Sequence, residues 1–113
     1  MPTIANATTA SIITDTDRSQ LLANVHKSQH DPNFDPPPVT KLFMPDGPGT
    51  WLLSEFDPNE PDRAFELCDT GQGYPELSYV LISELTAIRG RLRLPIERDA
   101  HFIPDRPLSQ YAK

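Results

Sequence analysis

Thirteen prolines in 113 residues decide where this chain cannot build helices or central strands. They bunch at residues 32–38, at Pro58 and Pro61, and at Pro104 and Pro107. Proline locks φ and lacks the backbone N–H, so each bunch predicts a loop, a boundary or an extended run. Regular structure has to fit between them.

The length allows one domain with one modest core. Hydrophobic residues make up 37%, too many for a disordered chain. They are also too interrupted to form the apolar run that a membrane span needs. The first residues, MPTIANATTASIITDTD, have no basic start and no sustained apolar centre, so no secretory signal is expected in them. A single cysteine, Cys68, cannot form an internal disulfide, and a cytoplasmic location is expected. A net charge of -6 argues against general binding to nucleic acid or to anionic membranes.

Taken in order, residues 1–14 read as a flexible tail, small and polar apart from Ile4, Ile12 and Ile13. Residues 15–40 read as an N-terminal helix followed by a proline-rich extended segment. Asp15, Thr16 or Asp17 is the expected cap, and Leu21, Leu22 and Val25 are expected to share the apolar face. Residues 41–113 read as a single α+β domain. Its expected strands are KLFM, TWLLSEFD, RAFELCD, residues 77–82 and IERDAHF. In the second strand Trp51 and Leu53 would face one way, Leu52 and Phe56 the other; in the third, Phe65 and Leu67 share a face. PNEPD reads as a proline-bounded loop, and the last residues as a tail lying over the sheet through Leu108 and Tyr111.

The stretch GQGYPELSYVLISELTAIRG, residues 71–90, reads as the organising unit: turn, strand, helix. Gly71 and Gly73 supply the turn. The apolar run 77–82 has the composition of a strand buried on both faces. Ser83 reads as the helix cap and Gly90 as its stop. The fold expected is a small, mainly antiparallel sheet of about five short strands with one packed helix, preceded by the N-terminal helix and the proline-rich segment.

Many spaced elements occur here in one order: KLF, TWLL followed by an acid, a DP loop, AFELCD, GQGYPEL, SEL and LPIERDAHF. In this the chain resembles the bacterial family catalogued only as domain of unknown function 2958, over roughly residues 21–112. The resemblance implies a small cytoplasmic bacterial protein, often carried on plasmids or integrating elements, and it implies no known activity. Glu66 and Ser78 stand where the resemblance leads one to expect glycines.

Five constellations are candidates for chemistry. Glu76, Asp99 and His101, with Asp69 and Glu97, could do acid–base work, and ERDAH as a strand would put Glu97, Asp99 and His101 on one face. Against this, no nucleophile or cofactor motif accompanies them, and surface ion pairing through Arg98 is the plainer reading. His26 and His30 are spaced i, i+4 beside Asp31, but no third metal ligand is indicated, so neither a metal nor a cofactor is expected. Cys68 lies between Leu67 and Asp69, away from any cation, and reads as a packed thiol. Arg89, Arg91 and Arg93 form a basic cluster without interleaved aromatics.

Charge segregation is the fifth. Residues 46–84 hold nine acids and one base, Arg63. An unidentified protein partner is therefore expected, held by the acidic loops with Asp57, Glu60, Asp62, Asp69 and Glu76, and with Tyr74 as an apolar contact. The function expected is that of a non-enzymatic interaction accessory of a mobile element. The alternatives are an acidic inhibitor of a host nuclease or defence protein, and an enzyme using Glu76, Asp99 and His101.

Overall fold

The computed structural model describes residues 12–112. Helix α1 (Asp15–His30) precedes strands β1 (Thr40–Phe43), β2 (Thr50–Asp57), β3 (Glu60–Asp69) and β4 (Glu76–Leu81). Then come helix α2 (Ile82–Ala87), the two-residue strand β5 (Glu97–Arg98) and a single C-terminal turn, α3 (Leu108–Tyr111). The sheet is antiparallel throughout, in the order β4-β3-β2-β1-β5. The expected α+β class, with a five-stranded antiparallel sheet and packed helices, is what the chain forms.

The β2–β3 hairpin is the centre. Its two long strands are interior, and alternation along them feeds a core on each face. On one face Trp51, Leu53, Phe56 and Ala64 pack with Leu42, Leu21 of α1 and Ile82 and Leu85 of α2. On the other, Leu52 and Leu67 pack under Leu108, with Phe65, Phe102 and Tyr111 beside them. The C-terminal segment therefore lies over the sheet through Leu108 and Tyr111, as its spacing suggests. A fully buried leucine such as Leu42 or Leu53 contributes about 1.5–3 kcal/mol.

A bulge alters the expected faces of β2. Leu53 pairs with Glu66 and Glu55 with Phe65, so Ser54 is an extra residue. One extra residue reverses the alternation. Phe56 consequently joins Trp51 and Leu53 instead of Leu52. The same bulge docks α1, because Asn24 Nδ2 donates to the Ser54 carbonyl at 2.8 Å. The buried stripe of α1 is Asp17, Leu21, Asn24 and Val25. Leu22, expected on that face, is 45% exposed. Thr14 caps the helix by accepting the Asp17 N–H at 3.0 Å.

Asp17 is the polar clamp of the fold. Arg98 Nε donates to its Oδ2 at 2.7 Å and Thr40 Oγ1 at 2.9 Å. Helix α1, β1 and β5 are thus fixed together by one buried carboxylate. The proline stretch is tied in at its other end, where Leu108 N–H donates to the Pro36 carbonyl at 2.8 Å. The tail expected over residues 1–14 fails at its last three residues: Ile12 and Ile13 are buried in the core and Thr14 caps α1. Residues 1–11 lie outside those described.

Three further expectations are corrected. The PNEPD loop is shorter, since β3 begins at Glu60 and Asp57 pairs with Glu60 across the turn. The run at 77–82 is not buried on both faces, because β4 sits at the sheet edge and pairs with β3 alone among the described residues. Strand β5 keeps only Glu97 and Arg98 of IERDAHF, because the Asp99 N–H donates to the Lys41 carbonyl and the chain then turns.

Candidate functional site

Past Asp69 the chain reverses in the 70–75 loop. Gly71 and Gly73 sit at φ 85° and 86°, a region that side chains with a Cβ rarely enter. Asp69 Oδ1 accepts the Gly71 N–H at 2.8 Å and braces the turn. The loop leaves Tyr74 82% exposed and delivers the chain into β4. Register then places Leu77 opposite Leu67 and Tyr79 opposite Phe65. The Phe65 and Tyr79 rings meet edge-on, centroids 5.2 Å apart. Leu67 is buried beneath the C-terminal segment, but Leu77 and Tyr79 remain 46% and 51% exposed. The result is an apolar row at the rim of the sheet, rooted in the second core.

Acids surround this row. Asp69 and Glu76 stand at its start. Partial burial raises the Tyr79 phenol pKa, with the charges of Asp57 and Glu55 adding to the effect. The cation acting on Tyr79, Arg63, is paired with Asp57 at 3.3 Å. On the same face a cavity of about 210 Å³ is lined by Lys41, Thr50, Asp69, Pro75, Phe102 and Tyr111. At its outer side the Arg106 guanidinium and the Tyr111 hydroxyl hold the Asp105 carboxyl down at about 2.

The expected site residues separate into groups. Asp69, Tyr74 and Glu76 lie together at the entry to β4. Asp57, Glu60 and Asp62 are engaged internally. Asp57 accepts the Asn59 N–H at 2.8 Å and Glu60 the Asp62 N–H at 3.2 Å. Asp62 accepts from the Ser83 N–H at 3.1 Å and from its hydroxyl at 2.6 Å. Ser83 is therefore not the cap of its helix. Asp62, twenty-one residues earlier, binds the free N–H at the start of α2.

Glu76, Asp99 and His101 do not converge. Glu76 is on β4 and the other two follow β5, at opposite edges of a five-stranded sheet. Four strand spacings put them roughly 19 Å apart. The alternate-face reading of ERDAH fails at the turn, where Asp99 Oδ1 accepts the His101 N–H at 2.9 Å. His26 and His30 are both exposed, and His30 Nδ1 lies 2.9 Å from the His26 carbonyl. Among the described residues no three His, Cys, Asp or Glu side chains are grouped to hold a metal ion. Burial raises the Cys68 pKa, reinforced by Glu66, Asp69 and Glu76.

In the arginine cluster, Arg89 Nη1 donates to the Thr86 and Ile88 carbonyls and closes α2. The helix has already ended at Ala87, so Gly90 serves another purpose. A Cβ there would lie 1.6 Å from Asp46 Oδ1, and Asp46 in turn accepts the Leu92 N–H at 2.6 Å. Gly90 allows the β1–β2 turn to seat against this loop.

Sequence reasoning missed two features. One is the exposure of Leu77 and Tyr79, which depends on strand order and has no local signal. The other is Glu66, 2% exposed on the helix-covered face. Its Oε1 is buried with no hydrogen-bond partner among the described residues, and burial raises its pKa. The alternation Ala64, Glu66, Cys68 was the available signal, since it puts a carboxylate on the inward row.

The family described as "Protein of unknown function (DUF2958)" matches residues 12–113. The chain belongs to this family. Comparison with curated proteins finds no match, and comparison with solved structures finds none either. In this DUF2958 chain the two positions expected as glycine are direct neighbours across β3 and β4. Ser78 Oγ donates to Glu66 Oε2 at 2.6 Å, so the two side chains are matched to each other. No helix among the described residues of this DUF2958 protein is long and apolar enough to cross a membrane.

Proposed function

We propose that this DUF2958 member is a small, non-enzymatic interaction protein, a cytoplasmic accessory of a mobile element that works by binding another protein. One observation carries the reading: a row of half-exposed apolar side chains, Leu77 and Tyr79 with Tyr74 beyond them, stands at a sheet edge among carboxylates. Surface leucines and tyrosines scattered singly mean little, but a row continuous with the core and rimmed by acids has the composition of a contact surface. Tyrosine in particular supplies large contact area with few rotamers to fix.

The geometry does not favour the alternatives. An acidic inhibitor of a host nuclease or defence protein needs a ridge of free carboxylates, and those of Asp57, Glu60 and Asp62 are engaged in turns and in the α2 cap. An enzyme using Glu76, Asp99 and His101 needs them in one pocket.

Affinity capture from the native host, read by mass spectrometry, tests the proposal. Wild-type protein should retain a specific protein partner. Leu77→Ser with Tyr79→Ser should lose it while keeping a cooperative melting transition. Equal capture by a folded double variant would remove this row from the binding surface.

A further inference from the structure

The outer edge of β4 has the makings of a specific acceptor. Strand β4 has six residues, roughly 20 Å of extended chain, and among the described residues pairs with β3 on one side only. Every second residue of such a strand points its N–H and C=O away from the ladder. Sheet edges are ordinarily blunted by proline, by lysine, by bulges or by being very short. Within ELSYVL there is no proline, lysine or bulge; Pro75 and the charged Glu76 mark only its start, and its register with β3 is unbroken from Glu76 to Leu81. The opposite edge is protected: β5 is two residues long, follows closely on Pro95 and ends in a turn.

The two faces of β4 specify what could lie beside it. On one face Leu77 and Tyr79 offer apolar contact to a neighbouring strand. On the other face Glu76 offers a carboxylate, while the Ser78 hydroxyl is already donated to Glu66. Beside Leu77 and Tyr79 lie Asp69, Glu55 and Asp57, of which Asp57 is paired with Arg63 and Glu55 accepts from the Ser28 hydroxyl, and Lys41 lines the cavity next to Asp69. An added strand is therefore recognised best if apolar side chains alternate with basic ones. A second copy of this chain has the wrong charge. It would bring its own Glu76 and a net charge of -6 to an edge that is already acidic.

We infer that β4 accepts an extended segment of the partner protein as a sixth strand, apolar on one face and lysine- or arginine-bearing on the other. This rests on the interaction reading above and adds to it the mode of binding and the chemistry of the partner. Main-chain hydrogen bonds would supply affinity, and the alternating side chains would supply selection.

Amide hydrogen exchange on the full chain tests it, with a synthetic peptide of about eight residues alternating valine and lysine as the probe. In the free protein the outward amides of residues 76–81 should exchange fast. With the valine–lysine peptide they should slow by about tenfold or more. A valine–glutamate peptide of equal length should leave them unchanged. Leu77→Lys with Tyr79→Lys, melting as wild type does, should abolish the effect.

Four results overturn the inference: outward amides protected in the free chain, protection that grows with protein concentration alone, equal response to both peptides, or peptide-induced protection away from β4. If any of these appears while the serine double variant still loses its host partner, strand addition falls and the interaction reading stands. If the serine variant also keeps its partner, both fall.

Discussion

Glu66 is the residue on which the chain runs furthest from easy physics. Its carboxylate is buried, with Ser78 satisfying one oxygen and no group among the described residues satisfying the other. An unpaired buried carboxylate oxygen costs more than a neutral one, so burial raises the pKa from its ordinary 4.5. The folded chain thus holds the proton more tightly than the unfolded chain does. The stabilising contribution is complete below pH 4.5 and is lost as pH rises through the folded value. We expect Glu66→Gln, which keeps an acceptor for Ser78 and removes the charge, to gain stability relative to wild type as pH rises from 4 to 8. The same change should flatten the decline in melting temperature above pH 5. Thermal melts from pH 4 to pH 8 check this, and superimposable profiles for the two proteins would show that Glu66 is not charged and strained as described. The residue was visible in the sequence as an acid on an inward-facing row. That its second oxygen stays unpaired was not, because that depends on which strand lies opposite.

Helix α2 depends on an element distant in sequence. Six residues make too short a helix to persist alone, so its survival rests on Ile82 and Leu85 in the core and on Asp62 at its start. The sequence offered Ser83 as the cap, a reasonable inference from residue type that fails because a carboxylate on β3 reaches the N-terminus first. Asp62→Ala should cost about 1 kcal/mol, and Ser83→Ala should cost less than that. Chemical denaturation of both variants checks the order, and a larger loss from Ser83→Ala would return the cap to the helix itself. Of the strand boundaries, those of β2 were legible, while β1, β3 and β5 differ from their expected bounds. Strand β2 runs over the eight residues that alternation indicated, since a strand's apolar pattern is written in its own residues. The bulge at Ser54 was not legible: it reverses the face of Phe56 only because β3 offers one residue against two.

At the scale of the whole molecule, the β2–β3 hairpin carries a core on each face, and α1 and α2 cover one while the C-terminal segment covers part of the other. Trp51 spans β2 inside the larger core. Trp51→Ala should cost about 3–5 kcal/mol, a large share of the roughly 5–15 kcal/mol that a domain of this size commonly has. A soluble variant with an unchanged denaturation midpoint would contradict that core. The family was legible because its motifs lie in order along nearly the whole chain, and the fold class followed from the alternation of strands and turns. The candidate site was legible only in part. Tyr74, Asp69 and Glu76 were found from charge and exposure, whereas Leu77 and Tyr79 read as core because a strand's place in the sheet is settled by its neighbours. The half-exposed apolar row at the β4 edge is where we place binding. The most direct test is a hydrogen-exchange footprint of the full chain with its captured partner. We expect protection concentrated in residues 74–81 and none at Asp99 or His101. Protection around Asp99 and His101, with β4 unchanged, would contradict it.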